Sequence, residues 1–343
     1  MTEFFPDAFS DMVRVRKHGV LPLEHSAGDI LNLSRLQKGI FQTDISGYRD
    51  PVTVSVTSSI GAKLKLAAII GIYDTVGIDT VAMCANSIAA MGAAPMCFMH
   101  HLTLSDNHDN VQKAVKDVFS GITTGCERAG FPSIGMNVYE TSDQITKNGV
   151  LLAGYCSGLA ENSTLSETPA LEDGDMLIGL SSTGVHYSGF QFITTHMDLS
   201  YRSLSKYIPE FSKTLGEELL VPARIYSRSI VQLRACGQFH IKRVAHVVSG
   251  GLEQSILNIL PDNLRAAVFP GHFPIPEIFN LISSACSISQ AEMFSMFNMG
   301  IGLVLAIPKQ EVGGVFNALI QCGEHPYAIG CCSGGEKGVD LKW

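Results

Sequence analysis

Residues 52–66, VTVSVTSSIGAKLKL, run a β-branched, alternating segment straight into Ser58, Ser59, Gly61 and Lys63. A strand feeding a glycine turn and then a helix is a place where proteins hold phosphate. Successive backbone N–H groups point one way there, and the helix N-terminus adds partial positive charge. Gly61 and Lys63 suit that use. Ser58 and Ser59 offer only neutral hydroxyls, whereas a magnesium-bound nucleotide asks for hard oxygen ligands, normally carboxylates. The same residues also read as a plain structural turn.

Two further segments carry glycine turns between a strand and a helix. In SSTGVHYSGF (181–190), His186 precedes Ser188 and Gly189, so an imidazole can stand beside a phosphate or a reacting carbonyl, or can help cap the helix. In HVVSGGLEQS (246–255), Gly250 and Gly251 leave room for a ligand's close approach or for tight strand–helix packing. His100 and His101 end an apolar strand. Adjacent strand residues point to opposite faces, so the pair reads as one histidine in the core and one toward solvent, not as a metal pair. Cys331 and Cys332 have no His or Cys at metal-ligand spacing and read as packing residues.

The elements that must position these groups alternate along the chain. PVTVSVT (51–57) reads as a strand, DTVAMCANSIAAMG (79–92) as a helix stopped by Gly92, and APMCFMHHLTL (94–104) as a buried strand. Residues 109–130 read as the clearest helix, starting at Asp109, with Val111, Val115, Phe119 and Ile122 on one face. Residues 149–160 follow as another buried strand. The polar stretch 161–175 reads as a domain boundary. Beyond it come strands at 176–182, 300–308 and 326–332 and helices at 222–236, 251–260, 274–286 and 310–323, the first with Pro222 in its opening turn. Two α/β domains follow.

A chain of 343 residues is long enough for two domains. Net charge is −8 at pH 7 without any block of Lys or Arg, which argues against a duplex nucleic-acid partner. The opening residues are interrupted by charges and lack the apolar core of a signal peptide, and no apolar run is long enough to span a bilayer. The nine cysteines include no Cys-x-x-Cys pair and read as reduced, buried residues of a cytoplasmic protein.

From about residue 50 to 332 the order of segments resembles AIR synthetase, the phosphoribosylformylglycinamidine cyclo-ligase family of purine biosynthesis. The resemblance rests on YDTVGIDTVAMCANSIAAMGAAPMCFM (73–99), GITTGCERAG (121–130), SSTGVHYSGF (181–190), VPARIY (221–226), LPDN (260–263) and EMFSMFNMGIGLVLAIP (292–308). It implies a two-domain α/β fold of the α+β kind, in which first-domain strands of two subunits build a shared β-barrel across a homodimer. The division it implies is a divergent segment 1–50, a first domain 51–165 on the nucleotide side and a second domain 166–343. The reaction it implies uses ATP and Mg2+: the formamide oxygen of formylglycinamidine ribonucleotide is activated, and a ring nitrogen closes onto the carbon to give aminoimidazole ribonucleotide.

Set against the family's pattern, the carboxylate positions here are neutral. The family turn T-D-G-V-G-T-K stands here as residues 57–63, with Ser58 at the aspartate. In C-x-N-D, Asn86 is kept and the aspartate is Ser87. The aspartate after the next strand is His100. In the loop G-G-E-T-A-E, aligned with 135–140, the first glutamate is Asn137 and Glu140 survives. In H-S-N-G, His186 and Gly189 match while the asparagine is Ser188. The family's N-terminal lysine has only Lys38 as a counterpart. The resemblance thus assigns Lys63 and His186 as catalytic candidates, and Ser58, Ser59, Gly61, Lys63, Asn86, Ser188, Gly189, Gly250 and Gly251 as nucleotide- or phosphate-binding ones. It leaves no metal ligand set, and loss of four carboxylates points to an inactive or impaired member, acting through an active paralogue or another protein partner. The alternative is a working cyclo-ligase with rearranged ligands drawn from Glu140, Asp79, Asp106 and Asp143.

Overall fold

Val52, Val54 and Val56 alternate with Thr53, Ser55 and Thr57, and β-branched residues at a period of two favour a pleated, half-buried strand. In a computed structural model, which describes residues 20–21, 42–105, 111–141, 150–167 and 169–343, that strand is long. The chain divides into two units, Met1–Leu165 and Ser166–Trp343.

In the first unit, two short strands, β1 (Val20–Leu21) and β2 (Gln42–Thr43), pair with each other. The main sheet holds β3 (Pro51–Ile60), β4 (Ala94–Ser105), β5 (Ser133–Thr141) and β6 (Val150–Glu161), in the order β3-β6-β4-β5. β6 runs antiparallel to both neighbours, and β4 and β5 are parallel. Helices α1 (Ala62–Ile70), α2 (Asp74–Ala90) and α3 (Val111–Ala129) connect these strands, and α4 (Asn162–Ser166) ends the unit.

The helical side is packed at backbone range. A Cβ on Gly121 of α3 would overlap the carbonyl of Asp74 in α2, and one on Gly77 would meet the Val118 carbonyl. Gly154 of β6 is bare where the Phe98 ring and the Thr80 methyl close over it. The opposite side carries polar and aromatic residues. Thr103 is aligned between the exposed Leu151 and Tyr139. Next to that row, Tyr155 donates to Ser55 (2.9 Å), which donates to Ser157 (3.3 Å).

The second unit is built on a six-stranded sheet. Its strands are β7 (Met176–Ser181), β10 (Arg243–His246), β11 (Leu264–Val268), β12 (Ile301–Ile307), β13 (Pro326–Gly334) and β14 (Gly338–Leu341), in the order β10-β12-β7-β13-β11-β14. Neighbours are antiparallel except β11 and β14. Every residue of β12 is buried, as a central strand requires. A small hairpin, β8 (Tyr207–Ile208) with β9 (Lys213–Thr214), stands apart. Helices α5 (Phe190–His196), α6 (Tyr201–Leu204), α7 (Leu215–Leu219), α8 (Ser227–Ala235), α9 (Gly251–Ile259), α10 (Glu277–Cys286), α11 (Gln290–Met296) and α12 (Val312–Gln321) complete the unit.

Several sequence expectations shift. The helix expected from 222 starts at Ser227, because residues 221–226 are spent on tertiary hydrogen bonds instead of a first turn. α2 begins at Asp74, five residues before the expected 79. The start expected at Asp109 lies outside the described residues. The cysteines are not uniformly buried. Cys84, Cys97, Cys126, Cys156 and Cys332 are, whereas Cys236 is exposed and Cys286, Cys322 and Cys331 are intermediate; Cys236 sits at the C-terminal cap of α8, where the helix runs out into solvent. No helix among the described residues is long and apolar enough to cross a membrane.

Candidate functional site

The turn after β3 presents less than its sequence offers. Ser58 and Ser59 point to opposite faces of the strand, so their hydroxyls do not converge. Ser58 is half-buried against α2, and its hydroxyl donates to the Met83 sulfur. Gly61 is the N-cap of α1 and makes no side-chain cap. Lys63 is turned inward: its Nζ lies 2.7 Å from Asp79 Oδ2, and the two side chains are 1% and 0% exposed. Burial pulls the Lys63 pKa down while the Asp79 charge opposes it. Asn86 is fully buried within α2, and Ser87 follows it, half-buried.

His100 and Asn137 lie on opposite faces of the first sheet. His100 is on the helical side, stacked on Phe98 (6.2 Å between centroids) and edge-on to Phe119 (5.1 Å). Neither ring nitrogen has a hydrogen-bond partner among the described residues. Burial, aided by the neighbouring His101, pushes its pKa down to about 4. Asn137 is on the other face, donating to Nδ1 of His101 (3.1 Å), whose Nε2 meets the Thr103 hydroxyl (2.8 Å). The four positions 58, 87, 100 and 137 therefore do not form one ligand set. Among the described residues no group of three or more His, Cys, Asp or Glu side chains stands where a metal ion fits. Lys38, Asp106 and Asp143 fall outside the described residues, as does the side chain of Glu140.

In the second unit the glycine segments do converge. β7 and β10 run parallel to each other on either side of β12, so the loops after Ser181 and His246 leave the same edge of the sheet, where β12 begins. Ser182 N–H donates to the Gly300 carbonyl (2.7 Å) and Val247 N–H to that of Gly302 (3.1 Å). The Tyr187 hydroxyl is hydrogen-bonded to Nε2 of His246, which joins the two loops directly. Burial pushes the His246 pKa down to about 3, which keeps the ring neutral.

For His186 the backbone fixes the role of Nε2. Its Nε2 takes the N–H groups of Thr183 (3.0 Å) and Arg224 (3.3 Å), so in the neutral ring the proton sits on Nδ1. The imidazole is 1% exposed and ties the 181–189 loop to residues 221–224. Arg224 in turn donates from Nε to the buried Glu324 (2.8 Å), which also accepts from Ser229 (2.7 Å). Ser188 is buried, with its hydroxyl 3.4 Å from the Val185 carbonyl.

The glycines make room for the chain itself. Gly189, at φ 76, has the Phe297 ring where a side chain would stand, and Gly251, at φ 64, abuts the backbone of residues 294–297. Gly250 is the left-handed N-cap of α9. Of the two readings open for 246–255, tight packing describes Gly251. The residues that sequence reasoning did not single out are Tyr187, Arg224, Tyr226, His246, Asn298 and Glu324. For Asn298 the local signal is a polar residue two positions before Gly300 in FNMG (297–300); the left-handed backbone of Met299 and Gly300 is seen only in the structure.

Comparison with known proteins gives a consistent picture. Residues 48–160 match the family described as AIR synthase related protein, N-terminal domain, and residues 172–340 its C-terminal domain. The chain is 37% identical over 299 residues to a phosphoribosylformylglycinamidine cyclo-ligase of Geobacillus sp., covering 87% of this chain and 85% of that one. It is 35% identical over 316 residues to the protein of that name from Thermodesulfovibrio yellowstonii, covering 92% and 91%. Among solved structures, thiamine-monophosphate kinase from Stenotrophomonas maltophilia superposes with a TM-score of 0.66 at 16% identity, covering 98% and 95% of the two chains. Hydrogenase maturation protein HypE in complex with ATP superposes at 0.61 and 15% identity, covering 84% and 81%. These likenesses show the fold.

Proposed function

Because this chain belongs to the AIR synthase related family through both of its halves, we propose that it is a degenerate relative of the purine-pathway cyclo-ligase, working as a binding or regulatory protein. One observation carries the reading. The positions at which the family resemblance puts carboxylates hold Ser58, Ser87, His100 and Asn137, and three of the four are engaged internally: with the Met83 sulfur, between two phenylalanines, and with His101. Magnesium on a triphosphate needs hard, charged oxygen ligands. The described residues do not fit it. Lys63 supports the same reading, since its charge is matched inside the fold by Asp79.

A second reading is a working cyclo-ligase with substitute ligands. The 37% identity to cyclo-ligases over most of the chain favours it. Asp79 is an unpromising substitute, being fully buried against Lys63, which leaves Glu140, Asp106 and Asp143.

On either reading, the partner that fits the polar and aromatic side of the first sheet is a second copy of the chain or an active paralogue, and a cytoplasmic location goes with both. Calorimetry of ATP binding with and without Mg2+ on the purified protein separates the readings. No binding in either condition is the expected result. Magnesium-dependent binding, followed by turnover of formylglycinamidine ribonucleotide at a rate near that of an active cyclo-ligase, overturns the proposal.

A further inference from the structure

Four described residues other than glycine hold positive φ, and two of them, His186 (φ 57) and Met299 (φ 51), are fixed by one side chain. A left-handed backbone is strained for such residues and persists where the surroundings over-determine it. Asn298 supplies that determination. Its Nδ2 donates to the carbonyls of Gly184 (2.9 Å) and Val185 (3.0 Å), the two residues before His186. Its Oδ1 accepts from the N–H of Gly300 (2.8 Å), the residue after Met299, and from the Ser182 hydroxyl (3.1 Å). Both donors and both lone pairs of the amide are used, and the side chain is fully buried.

We propose that Asn298 is the positioning residue of this sheet edge: it sets the 182–188 backbone so that His186 Nε2 meets the N–H groups of Thr183 and Arg224 and Tyr187 reaches His246. It acts through those residues. Volume alone does not meet the requirement. Aspartate has nearly the same shape, but would turn an oxygen toward the carbonyls of Gly184 and Val185, where the amide now donates. Gly302 shows how closely the arrangement is built, since a Cβ there would collide with the Tyr226 hydroxyl and the His186 ring. The inference concerns the second unit alone and stands apart from the question of metal and ATP in the first.

The test is side-chain nitrogen NMR of the histidines in the full chain near neutral pH, comparing wild type with Asn298→Asp and Asn298→Ala, and with His186→Gln to assign the signals. In wild type, His186 is expected as a single Nδ1–H tautomer. In both Asn298 variants the Nε2–H tautomer of His186 should appear at a comparable level, with the His246 signal shifted as the Tyr187 bond loosens. A His186 signal in Asn298→Asp identical to wild type overturns the proposal, because it would leave Asn298 a space-filling residue. Should Asn298→Asp lose all amide protection in the second unit, Ser182→Ala takes its place, as it deletes one of the four bonds. There a minor Nε2–H population is expected, and its complete absence overturns the proposal.

Discussion

Lys63 and Asp79 hold each other across the junction of α1 and α2, Nζ to Oδ2 at 2.7 Å, with neither side chain reaching solvent. A buried pair of this kind gives little net stability compared with apolar residues of the same size, yet removing one partner strands the other charge. Lys63→Met and Asp79→Leu should each destabilise the first unit by about 3–5 kcal/mol, and the double variant by clearly less than their sum. Amide exchange over residues 62–90 measures it, since a two-unit chain need not unfold in one step. Additive losses would show that the two groups are not coupled.

His100 makes the first unit sensitive to acid. Its folded pKa is about 4 against an ordinary value of 6.5, so the folded state holds the ring neutral and the unfolded state takes the proton first. Stability from this group is complete above pH 6.5, falls as pH drops toward 4, and is flat below. The shift corresponds to a loss on the order of 3 kcal/mol. His100→Phe, which keeps a ring between Phe98 and Phe119, should flatten that loss for β4 and α3 in exchange experiments at pH 7 and pH 5. His246, whose own pKa lies near 3, leaves the acid sensitivity of the second unit unchanged in that variant.

Gly121 sets how closely α2 and α3 approach. Its hydrogen faces the Asp74 carbonyl where any Cβ would overlap it. Gly121→Ala should cost about 1–3 kcal/mol or more by forcing the helices apart, read as loss of protection in both helices. Gly130→Ala, with open space around the site but a positive φ, should cost less. Equal losses in the two variants would mean that helix approach is not the constraint.

How much was legible in the sequence depended on where each determinant lies. β3, β4, β6 and β12 announce themselves locally, through alternation or unbroken apolar runs. β5 does not: SIGMNVYET mixes a glycine with polar residues, and its pairing comes from β4 across the α3 connection. β14 has four residues and owes its place to β11, reinforced by Arg265 donating from Nε to Asp340 (2.8 Å). In the site, the glycine turns were visible, but whether Gly251 faces a ligand or the chain was decided by residues 294–297, distant in sequence. Pro222 read as a helix opening because a proline at that position usually is. Its carbonyl instead accepts the Thr183 hydroxyl at 2.6 Å, a bond no local pattern announces.

The placing of β7 bears on how the protein comes off the ribosome. β7 is the first strand of the large sheet to be synthesised and lies inside it, yet the strands on either side, β12 and β13, are among the last to be made. Until they emerge, MLIGLS offers two unpaired edges to any neighbouring chain, the condition under which nascent sheets misassemble. In the first unit β3 also waits for its neighbour β6, but that wait, from residue 60 to residue 150, is shorter than the one from 181 to 301. Slow translation through residues 176–300 should therefore harm the yield of folded protein more than the same pause placed earlier.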